Sequence, residues 1–208
     1  MCIRDSLYTW HTPNGKKVPI LLAELGWEYE LHLVNLGENE QKAPEYIRIN
    51  PNGKIPALVD TERADGGLVT VFESGAILQY LADKAGRFLP GDEPRRSEVL
   101  SWAYWQVGGP GPFFAQLVSF GRDRANNEGA FAKFFEESKR LVRVLDGRLV
   151  DREWIAGPYS IADMMNYPWF HAVAQFQPAV LEGADAVAKW MHRMAARPAV
   201  KKGMDFGR

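Results

Sequence analysis

The periodicity of the chain changes once, near residue 88, and that change limits it to two units built on different principles. Before the change, short alternating runs are interleaved with helical spacing. Residues 7–10 read as a strand; after the turn Thr12-Pro13-Asn14-Gly15, residues Val18, Leu21, Leu22 and Leu25 recur at helical spacing until Gly26 stops them. Residues 29–34 alternate as a second strand, and 44–49 predict a short helix before the turn Asn50-Pro51-Asn52-Gly53. Residues 57–60 and 68–72 predict a hairpin across an acidic, glycine-containing turn, followed by a helix from Ser74 to about Lys84. The expected order is βαβαββα over residues 1–87, an α/β unit. Residues 88–94 carry prolines and charges but little apolar period and read as a linker. Over 95–208 the period is helical in five runs, 99–107, 113–120, 131–150, 161–174 and 184–196, which predicts an all-α helical bundle.

Composition removes several classes of function. With 25 Lys+Arg against 26 Asp+Glu the net charge is -1, so no global field draws the chain to nucleic acid or an anionic membrane. Any affinity for anions must be local. A single cysteine, Cys2, excludes an intrachain disulfide and a Cys-rich metal site and fits a reducing compartment, so a cytoplasmic location is expected. His11, His32, His171 and His192 share no ligand spacing, so no metal is expected. No apolar run approaches the ~20 residues that span a bilayer, and the start lacks an apolar leader segment; a soluble, unprocessed chain is expected.

The polar residues that stand out lie at element ends. Thr12 and Asn14 place a hydroxyl and a carboxamide at the mouth of the first helix, directly after a strand, where an anion can be held. Lys54-Ile55-Pro56 precedes another strand, and Glu73-Ser74 sits where a strand becomes a helix, so that the Ser74 hydroxyl and N–H face an incoming carboxylate. Together they suit a small thiol peptide. Each also has a plainer use: Thr12 and Asn14 as helix caps, Ser74 as an N-cap beside a surface acid, Lys54 as a solvated lysine.

These residues resemble those of the glutathione transferase family, in which a thioredoxin-like domain precedes a helical one. The resemblance covers nearly the whole chain. It rests on Thr12-Pro13-Asn14-Gly15, on Asn50-Pro51-Asn52-Gly53-Lys54-Ile55-Pro56-Ala57, on Phe72-Glu73-Ser74-Gly75-Ala76-Ile77, on Trp105-Gln106-Val107-Gly108-Gly109 and on Ser160-Ile161-Ala162-Asp163. The first and fourth look most like the nu-class branch, related to the fungal nitrogen-regulator group, whose members often act as glutathione-dependent disulfide reductases.

The resemblance implies glutathione as co-substrate, with Thr12 and Asn14 stabilising its thiolate. It implies a cis bond before Pro56, the Ile55 backbone pairing with the cysteinyl backbone of glutathione, and Lys54 near the glycyl carboxylate. Ser74 would take the γ-glutamyl carboxylate and Glu73 the γ-glutamyl ammonium, and Gln41 falls on a glutathione-contacting glutamine. Where the branch often carries an arginine that helps bind a second glutathione or the product disulfide, this chain has Lys133, which keeps the charge and loses the bidentate fork. A second departure is residues 1–6, which do not look like the family's usual lead-in to the first strand. That hydrophilic hexapeptide is expected to come from read assembly or gene calling and is assigned no function, so Cys2 is not taken as a catalytic thiol.

Tyr8 is expected to pack in the sheet rather than to act on the thiol. Ser160 and Asp163 form a capping box with a role in folding. The rings of Trp102, Tyr104, Trp105, Phe113 and Phe114 are expected to be mostly core. The function expected is disulfide reduction through bound glutathione, by a homodimer. Two rivals are a transferase conjugating glutathione to electrophiles and a non-catalytic glutathione-binding or interaction module.

Overall fold

The computed structural model describes residues 5–61 and 67–207. Most of the acidic turn expected between the hairpin strands, and the segment containing Cys2, lie outside the described residues. The elements run β1 (Asp5–Thr9), α1 (Pro13–Leu25), β2 (Tyr29–Leu33), α2 (Pro44–Ile49), β3 (Ala57–Asp60), β4 (Val69–Phe72) and α3 (Ser74–Ala85). They continue with α4 (Arg95–Gly108), α5 (Pro110–Gly121), α6 (Glu128–Leu149), α7 (Ile161–Phe176), α8 (Asp185–Ala196) and α9 (Pro198–Met204). Two compact units result: one holds the chain up to Arg87 together with everything from Arg197 onward, the other Phe88–Ala196.

In the first unit the sheet order is β2-β1-β3-β4, with β1 and β2 parallel and the other pairs antiparallel. A parallel pair needs a crossover, and α1 supplies it. The register places Leu7 opposite Leu31 on one side and Leu58 on the other. Leu7, Ala57 and Leu58 are fully buried, as are Val18, Ile20, Leu21 and Leu22 of α1 and Ile77, Leu78, Leu81 and Ala82 of α3. This is the thioredoxin-like arrangement that the βαβαββα order implies.

Helix α1 is buried on more than one face because α9 covers it. A Cβ on Gly203 would lie 2.4 Å from the Ile20 backbone N and Cα, so the two helices touch backbone to backbone. Beside that contact Arg197 forks onto Glu24, with Nε to Oε1 at 2.7 Å and Nη2 to Oε2 at 3.0 Å. The sequence reading attaches 197–208 to the helical domain; packing attaches it to the first unit, because its partner is a helix distant in sequence. The first strand also begins earlier than the 7–10 of the sequence reading. Asp5 and Ser6 pair with Tyr29 and Glu30 in β1, and Asp5 is fully buried near the Lys84 ammonium.

In the second unit α7 is the centre. Every residue from Ile161 to Phe170 is buried, as expected of a helix surrounded by others. Phe170 meets Phe114 and Trp190 edge to face at 5.2 and 5.7 Å. The Ser160–Asp163 capping box closes the start of α7. Asp163 also accepts from the Ile155 N–H at 3.1 Å and from the Trp190 indole at 2.9 Å. Burial pushes its carboxyl up to about 6, against the pull of those donors. The expectation that the aromatic cluster is mostly core is corrected. Phe114 is fully buried, Trp102, Trp105 and Phe113 are half-buried, and Tyr104 is 57% exposed. The inward face of α4 belongs instead to Val99, Ala103 and Gln106, four and three residues apart. Among the described residues no helix is long and apolar enough to cross a membrane.

Candidate active site

The first half of the site is the start of α1. Thr12 is the N-cap, extended at φ -111° and ψ 163°, and its Oγ1 accepts from the Gly15 N–H at 3.1 Å. Pro13 follows as the first helical residue, where its missing N–H costs no helix bond, and Asn14 is next. Thr9 Oγ1 donates to the Gly15 carbonyl at 2.9 Å. The loop lies so close over the helix that a Cβ on Gly15 would sit 1.9 Å from the Trp10 carbonyl oxygen, so only glycine fits. These contacts fix Thr12 and the first turn of α1, which carries Asn14, where helix-start N–H groups converge. The plainer reading of Thr12 as a cap is therefore realised. Accepting from Gly15 does not use the hydroxyl's own hydrogen, so capping leaves its capacity to donate intact.

The second half is the start of α3. Glu73 occupies the N-cap position with φ 71° and ψ 121°, in the left-handed half of backbone space that non-glycine residues rarely enter. Ser74 is the first helical residue and is buried, so the idea of Ser74 as an N-cap is replaced. Its Oγ accepts from the Lys17 ammonium at 3.3 Å, reaching across from α1. Lys17 is 1% exposed. Burial pulls it down to about 7, and the Glu73 carboxylate works in the opposite direction. Sequence reasoning missed Lys17, because Lys16-Lys17 reads as solvated charge. The sign was its phase: it stands one residue before Val18 and four before Leu21, on the buried stripe of α1.

The third piece is the segment from α2 to β3. Asn50 Oδ1 accepts from the Asn52 N–H at 3.0 Å, while Asn50 Nδ2 and Tyr46 Oη both donate to the Lys54 carbonyl at 2.6 Å. The Lys54 backbone is thus pinned while the residue as a whole stays exposed. The Ile55-Pro56 bond is cis, and Ile55 packs against the small core of Val34, Tyr46 and Ala57. Gly53, at φ +59°, lies against the Gln41 carbonyl and the Lys42 ammonium, so a Cβ there would come within 3.1 and 2.9 Å of them. The Gln41 Oε1 is buried without a hydrogen-bond partner, an acceptor suited to a ligand N–H.

Contacts join these pieces. Ser74 is tied to α1 by Lys17, Glu73 to the 50–53 turn by Asn52 Nδ2 at 3.5 Å, and that turn to the Gln41 segment by the approach at Gly53. Thr12, Asn14, Gln41, Lys54, Ile55, Pro56, Glu73 and Ser74 all belong to the first unit. Lys133 lies on α6 in the second unit, exposed. Tyr8 stacks on His32 at 4.4 Å and meets Tyr46 edge-on at 6.1 Å, packing on the sheet. His11 stacks on Phe206 at 4.8 Å. Among the described residues no cluster of three or more His, Cys, Asp or Glu could hold a metal. A separate cleft of about 490 Å³, bordered by Trp27, Tyr29, Lys201 and Phe206, contains none of the candidate residues.

Two helix starts and a cis-proline edge on a thioredoxin-like sheet, followed by an all-helical unit, define a class, and comparison with known families agrees. Residues 6–83 match the glutathione S-transferase N-terminal domain and residues 113–198 the glutathione S-transferase C-terminal domain. The chain belongs to the glutathione S-transferase family. It is 42% identical over 201 residues to the disulfide-bond oxidoreductase YfcG of Escherichia coli K12, covering 95% of this chain and 93% of that protein. A glutathione transferase from Pseudomonas putida, solved with one glutathione disulfide bound per subunit, superposes with a TM-score of 0.95 at 38% identity, covering 99% of this chain and 92% of that one. A glutathione transferase from Burkholderia graminis, solved with two glutathione molecules per subunit, gives a TM-score of 0.92 at 41% identity over 99% of this chain and 89% of that one.

Proposed function

We propose that the protein is a glutathione-dependent disulfide reductase. The observation that carries this is the pairing of the Thr12–Asn14 helix start with the Ser74 helix start, held together through Lys17. The first start suits a thiolate and the second a carboxylate. In the reaction a bound glutathione thiolate attacks one sulfur of a disulfide, forming a glutathionyl mixed disulfide and releasing a thiolate. A second glutathione thiolate then attacks the glutathionyl sulfur, giving glutathione disulfide and the second thiol.

A free thiol of pKa ~8.5 is mostly protonated at neutral pH, and lowering that by ~2 units takes about 2.7 kcal/mol. One or two hydrogen bonds to the charged sulfur, at roughly 1.5–3 kcal/mol each, supply that much. Thr12 and Asn14 are assigned this role. Ser74 and Glu73 hold the γ-glutamyl carboxylate and ammonium, the Ile55 backbone beside Pro56 pairs with the cysteinyl backbone, Lys54 takes the glycyl carboxylate, and Gln41 accepts from a peptide N–H. Lys133 contacts the second glutathione. A homodimer in the cytoplasm is part of the proposal. The exposed Tyr104 and Val107 on α4, at 57% and 46%, support an interface there, and the single cysteine supports a reducing location.

The test is reduction of hydroxyethyl disulfide by glutathione for the wild type and Asn14→Ala, beside conjugation of an aryl halide. Dominant disulfide reduction that falls at least tenfold in the variant is expected. Dominant conjugation would make the protein a conjugating transferase, and absence of both activities would leave a binding module.

A further inference from the structure

We propose that Lys17 is the buried counter-charge of the carboxylate received at Ser74, and that glutathione binding therefore takes up a proton on the Lys17 amine, converting it to ammonium. The inference rests on the reading of Ser74 as the γ-glutamyl carboxylate subsite. It deepens that reading by giving the subsite a second layer, which no contact between a ligand and the surface would reveal.

The geometry is direct. Lys17 Nζ is 3.3 Å from Ser74 Oγ, and the residue is 1% exposed. A carboxylate hydrogen-bonded to the same hydroxyl stands ~2.7 Å from Oγ on the ligand side, which brings it within roughly 6 Å of Nζ. At that range, with water excluded on the protein side, the attraction is only weakly screened. The protonation state also decides what Ser74 offers. An ammonium can only donate, so it occupies an Oγ lone pair and leaves the hydroxyl hydrogen to point at the ligand. A neutral amine can accept that hydrogen and turn it away from the ligand.

The ammonium is not fully stabilised without ligand. Burial opposes its charge, and Glu73, itself exposed, offsets this only in part. The helices packed on α1 are α3 and α9. At the start of α3 the Glu73 carboxylate acts on Lys17; Asp83 and Lys84 lie at the other end of the helix, where Lys84 engages Asp60 at 2.5 Å. On the α9 side Lys201 and Lys202 are exposed, and Arg197 is engaged with Glu24. A carboxylate arriving at Ser74 adds the negative charge that completes the stabilisation, so a Lys17 that was partly amine becomes ammonium. Uptake is large above neutrality and vanishes in acid, where Lys17 already carries its proton.

The experiment is calorimetric titration with S-methylglutathione, whose blocked sulfur cannot ionise, in buffers of different ionisation enthalpy. The wild type is expected to take up about half a proton or more at pH 7.5 and about 0.1 at pH 6. Lys17→Arg, charged at both values, is expected to bind S-methylglutathione without proton uptake. Lys17→Met is expected to show no uptake and at least tenfold weaker binding. Wild-type binding with the same heat in every buffer at pH 7.5 overturns the inference and leaves the Ser74 reading standing. Uptake that persists in Lys17→Arg overturns it too, since another group then carries the proton. Failure of the wild type to bind S-methylglutathione at all overturns the reading on which the inference rests.

Discussion

Replacing Asp163 by Asn tests the electrostatics of the second unit, and the structure sets both the size and the pH dependence of the effect. In the wild type Oδ1 accepts from the Ile155 N–H and the Trp190 indole, and Oδ2 accepts from the Ser160 N–H at 3.1 Å. Asn keeps an oxygen for the first two and turns an amide NH2 toward the third, which leaves one buried donor unmatched at a cost of about 1–3 kcal/mol. The pH dependence follows from the raised carboxyl, about 6 when folded against an ordinary 3.8. The folded protein binds this proton more tightly than the unfolded chain, so the group's contribution to stability is greatest in acid and declines as pH rises through 6. Between pH 5 and 7.5 the loss is about 1.4 kcal/mol. Asn at 163 does not titrate, so the destabilisation caused by the substitution is expected to be about 1.4 kcal/mol larger at pH 5 than at pH 7.5. Urea unfolding of both proteins at the two pH values measures this, and other titrating groups cancel in the difference. An equal destabilisation at both pH values would refute the reasoning, because the three N–H donors would then be holding the carboxylate ionised even at pH 5.

Two further substitutions probe other parts of the chain. Gly203→Ala drives a methyl to within 2.4 Å of the Ile20 backbone, where no side chain can swing away, so a loss of at least ~1–3 kcal/mol is expected from the urea midpoint. An unchanged midpoint would mean that α9 does not lie on α1. Lys133→Arg restores a bidentate fork on α6. Its second glutathione is expected to bind several-fold tighter in a titration resolving two sites, and two equally tight sites in the wild type would count against a weakened second subsite.

The sheet and most helices were legible because periodicity is a local property. The helix over 44–49, the strand over 57–60 and the start of the helix at Ser74 coincide with α2, β3 and α3, each bounded by proline, glycine or a polar turn. What stayed hidden depends on partners remote in sequence. Residues 198–204 are too short a run to show helical period, and the Ile20 backbone explains Gly203. The polar residues around Ser74 were readable from their places at element ends, whereas Lys17 was marked only by its phase on α1, and the Ser74 hydroxyl it meets comes from a helix remote in sequence. The aromatic residues of α4 were misjudged for a related reason. Size suggested core, while the inward face of that helix is set by the three smaller residues that meet its neighbours.

The return of α9 to α1 also has a consequence in time. Glu24 and its partner Arg197 are 173 residues apart. At a synthesis rate of roughly 5–20 residues per second, α1 would be made roughly 10–35 s before the helix that covers it. During that interval the sheet can form while the apolar side of α1 around Ile20 still faces water or a chaperone. The first unit is thus the earliest to begin and among the last to be sealed. A ribosome that stalls within the helical unit would leave a nascent chain whose sheet is complete and whose outer face remains adhesive.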